Sequence, residues 1–166
     1  MMKRITVAVL LLLSINFTFA QGDIVAVATA SKDHSTLVTA IEAAGLTQTL
    51  KGAGPFTLFA PVNAAFSKLP DGELEKLLKN KEALGRILKN HVVSGKWDAA
   101  TLMTAIKKNN GTLELTTVGG GKLIAAVDGG KVKLTDETGG MSYVTVADVM
   151  ASNGVIHVID ALVLPK

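Results

Sequence analysis

Near its end the chain reads "ASNGVIHVIDALVLPK", residues 151–166, and between Val155 and Leu164 only His157 and Asp160 are not apolar. A continuous apolar strand of this kind is buried on both faces. A polar group left there without a partner costs about 2–7 kcal/mol. Both residues must therefore be hydrogen-bonded, to backbone amides or to side chains of neighbouring segments. Three positions apart on a strand, their side chains leave on opposite faces, so they form no local acid–base pair. They read as residues that fix register and geometry.

The rest of the chain divides into two halves. The first is helical with a strand embedded in it. In "DHSTLVTAIEAAGL" the residues Leu37, Val38, Ile41 and Ala44 share a helical face, with Asp33 as N-cap and Gly45 as the stop. "GPFTLFAPVNAAF" runs from a turn into a strand, Phe56 to Phe59, and breaks at Pro61. Asn63 is placed to cap a short helix beginning "AAF". Two helical runs follow, at 71–79 and 81–89, and their mixed charges form a solvated face. "HVV" begins an extended segment, and "DAATLMTAI" is one more helix, with Asp98 as cap.

In the second half, "GTLELTTV", "KLIAAV", "KVKLT" and "SYVTV" are strand-like runs. Glycine-rich turns at 119–121, 128–130 and 138–140 separate them. "TVADVMA" is expected to be a short helix before the closing strand. Helices first and antiparallel strands later make the class α+β.

Residues 1–20 have the order of a secretory signal peptide. A basic "MMKR" leads into an apolar core, and a small residue, Ala20, precedes the expected cleavage point. The uninterrupted apolar part, Ile5 to Leu13, is too short to span a membrane. The working protein is then one domain, 21–166, with no stable membrane span. Loss of Lys3 and Arg4 lowers the basic count from 17 to 15 against 14 acidic residues. Arg86 is then the only arginine, and nucleic-acid binding is not expected. With no cysteine in the sequence, thiol catalysis and cysteine–zinc sites are excluded, and an exported chain must rely on its core rather than on disulfides.

Little else points to chemistry. The three histidines, His34, His91 and His157, lack the spacing of metal ligands. No serine sits in a "GxSxG" elbow, and Asp136 and Glu137 lie in a loop with no evident pocket. No enzyme activity, metal or cofactor is expected.

Two segments carry a resemblance. "GPFTLFAPVNAAF" (54–66) and "SNGVIHVIDALVLP" (152–165) resemble the two signature segments of the fasciclin (FAS1) domain, and "ILKNHVVSG" (87–95) resembles its central segment. "STLVTAIEAAGL" and "TVADVMASNG" match as well, so the resemblance covers about Asp23 to Pro165. Phe59, Ala60, Pro61, Asn63 and Phe66 match the first signature, with Val62 where the family more often has threonine. Gly154, His157, Asp160 and Pro165 match the second.

The resemblance implies a twisted β-sandwich or wedge with several helices packed around one end. It also implies an exported module of the single-domain bacterial type, secreted or periplasmic, without catalysis or cofactor, whose work is adhesion at a cell surface or matrix. In some animal members a tyrosine–histidine pair in the central segment is linked to integrin-type adhesion. Here Asn90 precedes His91, which removes that aromatic contact, and there is no "RGD". His34 stands where the family often has a large apolar residue, which suggests a partly exposed helix start.

The expected partner is a surface or matrix protein or a glycan. Leu50, Lys51, Asn90, His91 and the 94–97 loop are the candidates for an exposed binding patch. Trp97, the only tryptophan, is either a binding anchor or a plug over the core. The alternative function is a soluble carrier of a small apolar ligand in the cleft beside the helices.

Overall fold

A computed structural model of the chain describes residues 22–166; the expected signal segment lies outside them. The order of elements is α1 (Ile24–Ala30), a 3-10 turn (Lys32–His34), α2 (Ser35–Ala44), α3 (Thr47–Leu50), β1 (Phe56–Pro61), α4 (Asn63–Phe66), α5 (Glu73–Lys79) and α6 (Lys81–Asn90). There follow β2 (Val92–Ser94), α7 (Ala99–Lys108), β3 (Thr112–Thr116), β4 (Lys122–Asp128), β5 (Lys131–Thr135), β6 (Met141–Ala151) and β7 (Gly154–Ile159). The class is α+β, as the order of helical and strand-like runs requires.

The strands form one seven-stranded sheet in the order β2-β1-β7-β6-β5-β4-β3. β1 and β7 pair in parallel, with Phe59 beside His157, and the other neighbours are antiparallel. A bridge from Val93 to Thr117 brings the two edges together, so the sheet is nearly closed. Between β4 and β5, Gly129 and Gly130 have φ of 57° and 80°. Two successive left-handed residues are what a tight hairpin turn of the right twist needs.

All six residues of β7 are buried, because the β1–β7 pair is a wall between two cores. On one side Leu58, Ala60 and Ile156 meet the helices through Leu37, Ile41, Leu84 and Leu88. On the other, Phe59 and Ile159 fill the inside of the curled sheet with Leu115, Leu123 and Leu134, and α7 closes over them with Leu102 and Ile106. Each buried aliphatic side chain contributes about 1.5–3 kcal/mol. The apolar run is the sequence imprint of a strand with a core on each side.

Local expectations fare unevenly. Gly45 is the C-cap of α2, and the Asp98 carboxylate accepts from the Thr101 N–H at 2.8 Å, capping α7. The buried face of α2 includes Ala40 where Val38 was expected. Asp33 does not cap α2; it lies in the 3-10 turn, and no side chain of the N-cap residue, His34, bonds the helix. Residues 145–151 are strand, not helix, because β6 pairs with β7 as far as Ala151. Two bulges, between Val144 and Val146 and between Val146 and Val149, break the alternation that would have identified the strand.

Candidate functional site

The residues expected to matter are distributed along the β1–β7 wall and the loops at its ends. His157 has its ring stacked on Phe59, with centroids 5.7 Å apart and planes 25° apart. Its Nε2–H donates to the Trp97 carbonyl at 2.6 Å, and its Nδ1 faces the Asp148 N–H at 3.4 Å. Asp148, in the second bulge of β6, accepts from the Ala99 N–H at 2.8 Å. One buried imidazole thus holds the chain entering α7 to the bulge of β6.

The 94–98 loop is fastened further. The Thr57 hydroxyl donates to the Gly95 carbonyl at 2.7 Å and accepts from the Trp97 N–H at 2.8 Å. The Gly95 N–H donates to the Pro55 carbonyl at 2.9 Å, which sets this loop beside the 51–55 loop. Asn153 ties in the latter: its Nδ2 donates to the carbonyls of Leu50 and Gly52 at 2.7 and 2.9 Å, and its Oδ1 accepts from the Ile24 N–H at 2.9 Å. Lys51 and Lys96 are exposed on these loops. Trp97 is half-buried, packed against the core inside the sheet, and its Nε1–H reaches the Ser94 carbonyl at 3.3 Å.

The expected exposed patch is corrected in three residues. Leu50 is buried in the helical core, and Asn90 and His91 are buried where α6 turns into β2. Val92 and Val93 enter the two cores in succession, which draws the preceding residues inward. His91 donates from Nδ1 to the Ile87 carbonyl at 2.8 Å and accepts at Nε2 from the Val163 N–H at 3.1 Å. Complete burial pushes its pKa down to about 4, against smaller upward pulls from the Ile87 carbonyl and Asp136. The Asn90 Oδ1 accepts from the Thr117 hydroxyl at 3.2 Å, and its Nδ2 has no partner. Lys51 and Trp97 are what the surface retains.

Other signature residues act over long distances in the sequence. Asn63 does not cap its own helix. Its Oδ1 accepts from the Thr36 N–H at 3.0 Å, and its Nδ2 donates to the Lys32 carbonyl at 3.0 Å, so it caps α2 from outside. Phe66 joins the helical core, and Pro61, at the end of β1, is buried. The Asp160 carboxylate accepts from the Tyr143 N–H at 2.9 Å, while its carbonyl accepts from Lys68 Nζ at 2.6 Å. Pro165, half-buried, lies with Leu164 beside Arg86 and Ile87 of α6. Asp136, expected in a loop with no evident pocket, is buried; it accepts from the N–H groups of Thr138, Gly140 and Leu164 at 2.8–2.9 Å.

A cavity of about 170 Å³ lies under α1. Val27, Ala28, Val149, Ile156 and Val158 form its apolar walls. His34, expected to be partly exposed, is buried at its edge, with 6% of its surface accessible. Among the described residues no group of three or more His, Asp or Glu side chains converges as metal ligands would, and no helix is long and apolar enough to cross a membrane.

Comparison with known proteins accords with this architecture. The family model for the Fasciclin domain matches residues 32–165. Protein sll1483 of Synechocystis sp. is 46% identical over 144 residues, which span 86% of this chain and 73% of that protein. Periostin of Homo sapiens is 31% identical over 136 residues, 82% of this chain but 15% of periostin. The solved FAS1 domain pair from the insect cell adhesion molecule Fasciclin I aligns with a TM-score of 0.71 at 19% identity, covering 86% of this chain and 51% of that one. At that identity the likeness establishes the fold.

Proposed function

From the premise that this chain belongs to the fasciclin domain family, we propose that it is an exported, non-catalytic module that attaches to a protein or glycan at a cell surface or matrix. The observation that carries this reading is the end of the molecule where the 51–55 and 94–98 loops meet. A half-exposed indole and two exposed lysines lie on these loops, which are held by hydrogen bonds to the Thr57 hydroxyl, the Pro55 carbonyl and the Asn153 side chain. An amphipathic aromatic on a rigid support is the kind of residue that dominates binding energy at interfaces. Adhesion is the role named for the insect protein that shares the fold.

Two of the three histidines are committed to holding the fold. His91 and His157 have both ring nitrogens directed at backbone groups, so neither is free to accept a proton from a substrate.

The test is capture by residues 21–166 of envelope or matrix proteins and of arrayed glycans, with wild type and a Trp97→Ala, Lys51→Glu double variant. Truncating a central aromatic of an interface typically costs 2 kcal/mol or more, roughly thirtyfold in affinity. Capture that the double variant weakens by tenfold or more supports this surface. Capture that it leaves unchanged places the contact elsewhere, and no capture at all removes the adhesion reading.

A second reading, carriage of a small apolar ligand, rests on the cavity under α1.

A further inference from the structure

The outer side of α6 carries a groove of about 550 Å³ beside the end of α2. Its floor is small and apolar, formed by the buried residues Ala44, Leu46 and Gly85. Lys81, Arg86 and Lys89 line it and are exposed. Glu82 is the one carboxylate among the lining residues, so three cations stand against one anion. Among the described residues none of these four charges forms an ion pair. Lys81 Nζ lies against Gly45, the C-cap of α2, and Arg86 reaches the Lys166 main-chain oxygen only at 3.5 Å.

The fold itself does not account for Gly85. Glycine weakens a helix interior, and Gly85 is not among the glycines with positive φ. A Cβ there would meet nothing within 4 Å, so neither backbone conformation nor packing requires the side chain to be missing. Its absence keeps the middle of the groove open. A glycine of this kind lets another backbone approach closely.

Lys81, Gly85 and Lys89 are spaced i, i+4, i+8 and share one stripe of α6. At the rise of a helix the two lysines are about 12 Å apart along it, with the open position between them. An extended chain points residues i, i+2 and i+4 the same way and places the outer two about 13 Å apart. Carboxylates at its ends would meet Lys81 on one side and Arg86 and Lys89 on the other. An apolar side chain between them would fall over Gly85, against Ala44 and Leu46. A uniformly charged polymer would leave that floor unmatched.

We infer that this groove binds an extended protein segment with acidic residues at i and i+4 and an apolar residue at i+2. The inference does not rest on the attachment surface at Trp97, and Trp97→Ala should leave it unchanged.

The experiment titrates residues 21–166 with the end-blocked peptide Ser-Glu-Ser-Leu-Ser-Glu-Ser, following backbone amide resonances of α6 and the end of α2. Replacing both glutamates of the peptide by glutamine should weaken binding at least tenfold, as should raising salt from about 0.05 to 0.5 M. A Lys81→Glu, Lys89→Glu double variant should lose as much. Gly85→Gln fills the middle of the groove without changing its charge. It should melt no lower than wild type and still bind at least tenfold more weakly, a loss that a merely electrostatic surface would not show. This variant also carries the test if the double variant does not fold.

Peptide binding that Gly85→Gln leaves unchanged overturns the inference. So does a glutamine peptide that binds as well as the glutamate one, or the absence of any shift along α6. A hexameric oligouronate supplies the control for the other class of polyanion. If it binds tenfold more tightly than the peptide, the groove belongs to acidic glycans and the inference falls; weaker binding supports a protein segment.

Discussion

His91 has no accessible surface, and its two ring nitrogens join the last turn of α6 to Val163 of the closing segment. Its folded pKa of about 4 lies below the 6.5 of an unfolded chain. Between these values the unfolded state binds more protons, so stability falls as pH drops from 6.5 towards 4 and is level above that window. The full effect is about 3 kcal/mol. His34, also pushed down by burial, acts in the same direction. Urea unfolding at pH 7.5 and pH 4.5 should therefore show a larger loss for wild type than for His91→Gln, and equal losses would refute this account. None of this was readable locally. "NHVV" has the polarity of a helix end, and only the cores entered by Val92 and Val93 draw it inward.

At the scale of elements, β1 and β7 approach so closely that a Cβ at Gly154 would run into the Phe56 carbonyl. Phe56 is its register partner, so the obstruction is backbone and cannot rotate away. Gly154→Ala should destabilise by about 1–3 kcal/mol or more, a fall in Tm of roughly 3–10 °C for a chain of this length. Gly85, within α6, meets nothing within 4 Å, and alanine there should raise Tm, since glycine in a helix costs about 0.5–1 kcal/mol. Thermal melts of the two variants check both signs, and a Gly154→Ala protein melting with wild type would count against the parallel register. Helices and hairpins were legible because their signals lie within a few residues: Asp98 before α7, Gly45 after α2, glycine pairs between strands. β6 was misread over 145–151 because its two bulges remove the period of two on which strand recognition depends.

At the scale of the whole molecule, the β1–β7 wall serves two cores at once. Neither core keeps its wall if the other dissolves, so both should melt together. Leu84→Ala, on the helical side, and Leu123→Ala, inside the sheet, should each cost about 2–5 kcal/mol. In each variant the far-ultraviolet helical signal and the Trp97 fluorescence should share one midpoint. Separate midpoints would mean that the wall does not couple the two sides.

The α+β class and the burial of the closing strand on both faces were set by the sequence itself. Those properties depend on neighbours within one helical turn or one strand. The tertiary structure alone decided what each polar residue holds. His157 reaches Trp97, 60 positions away, and Asn63 caps α2 from 27 positions beyond Thr36. Leu50, Asn90 and His91 are buried by segments remote in the chain, while Trp97 keeps part of its indole in solvent. The cavity at His34 likewise exists only where α1, β1 and the bulged β6 come together. Burial and hydrogen-bond partnership are properties of meeting surfaces, and no local pattern encodes which surfaces will meet.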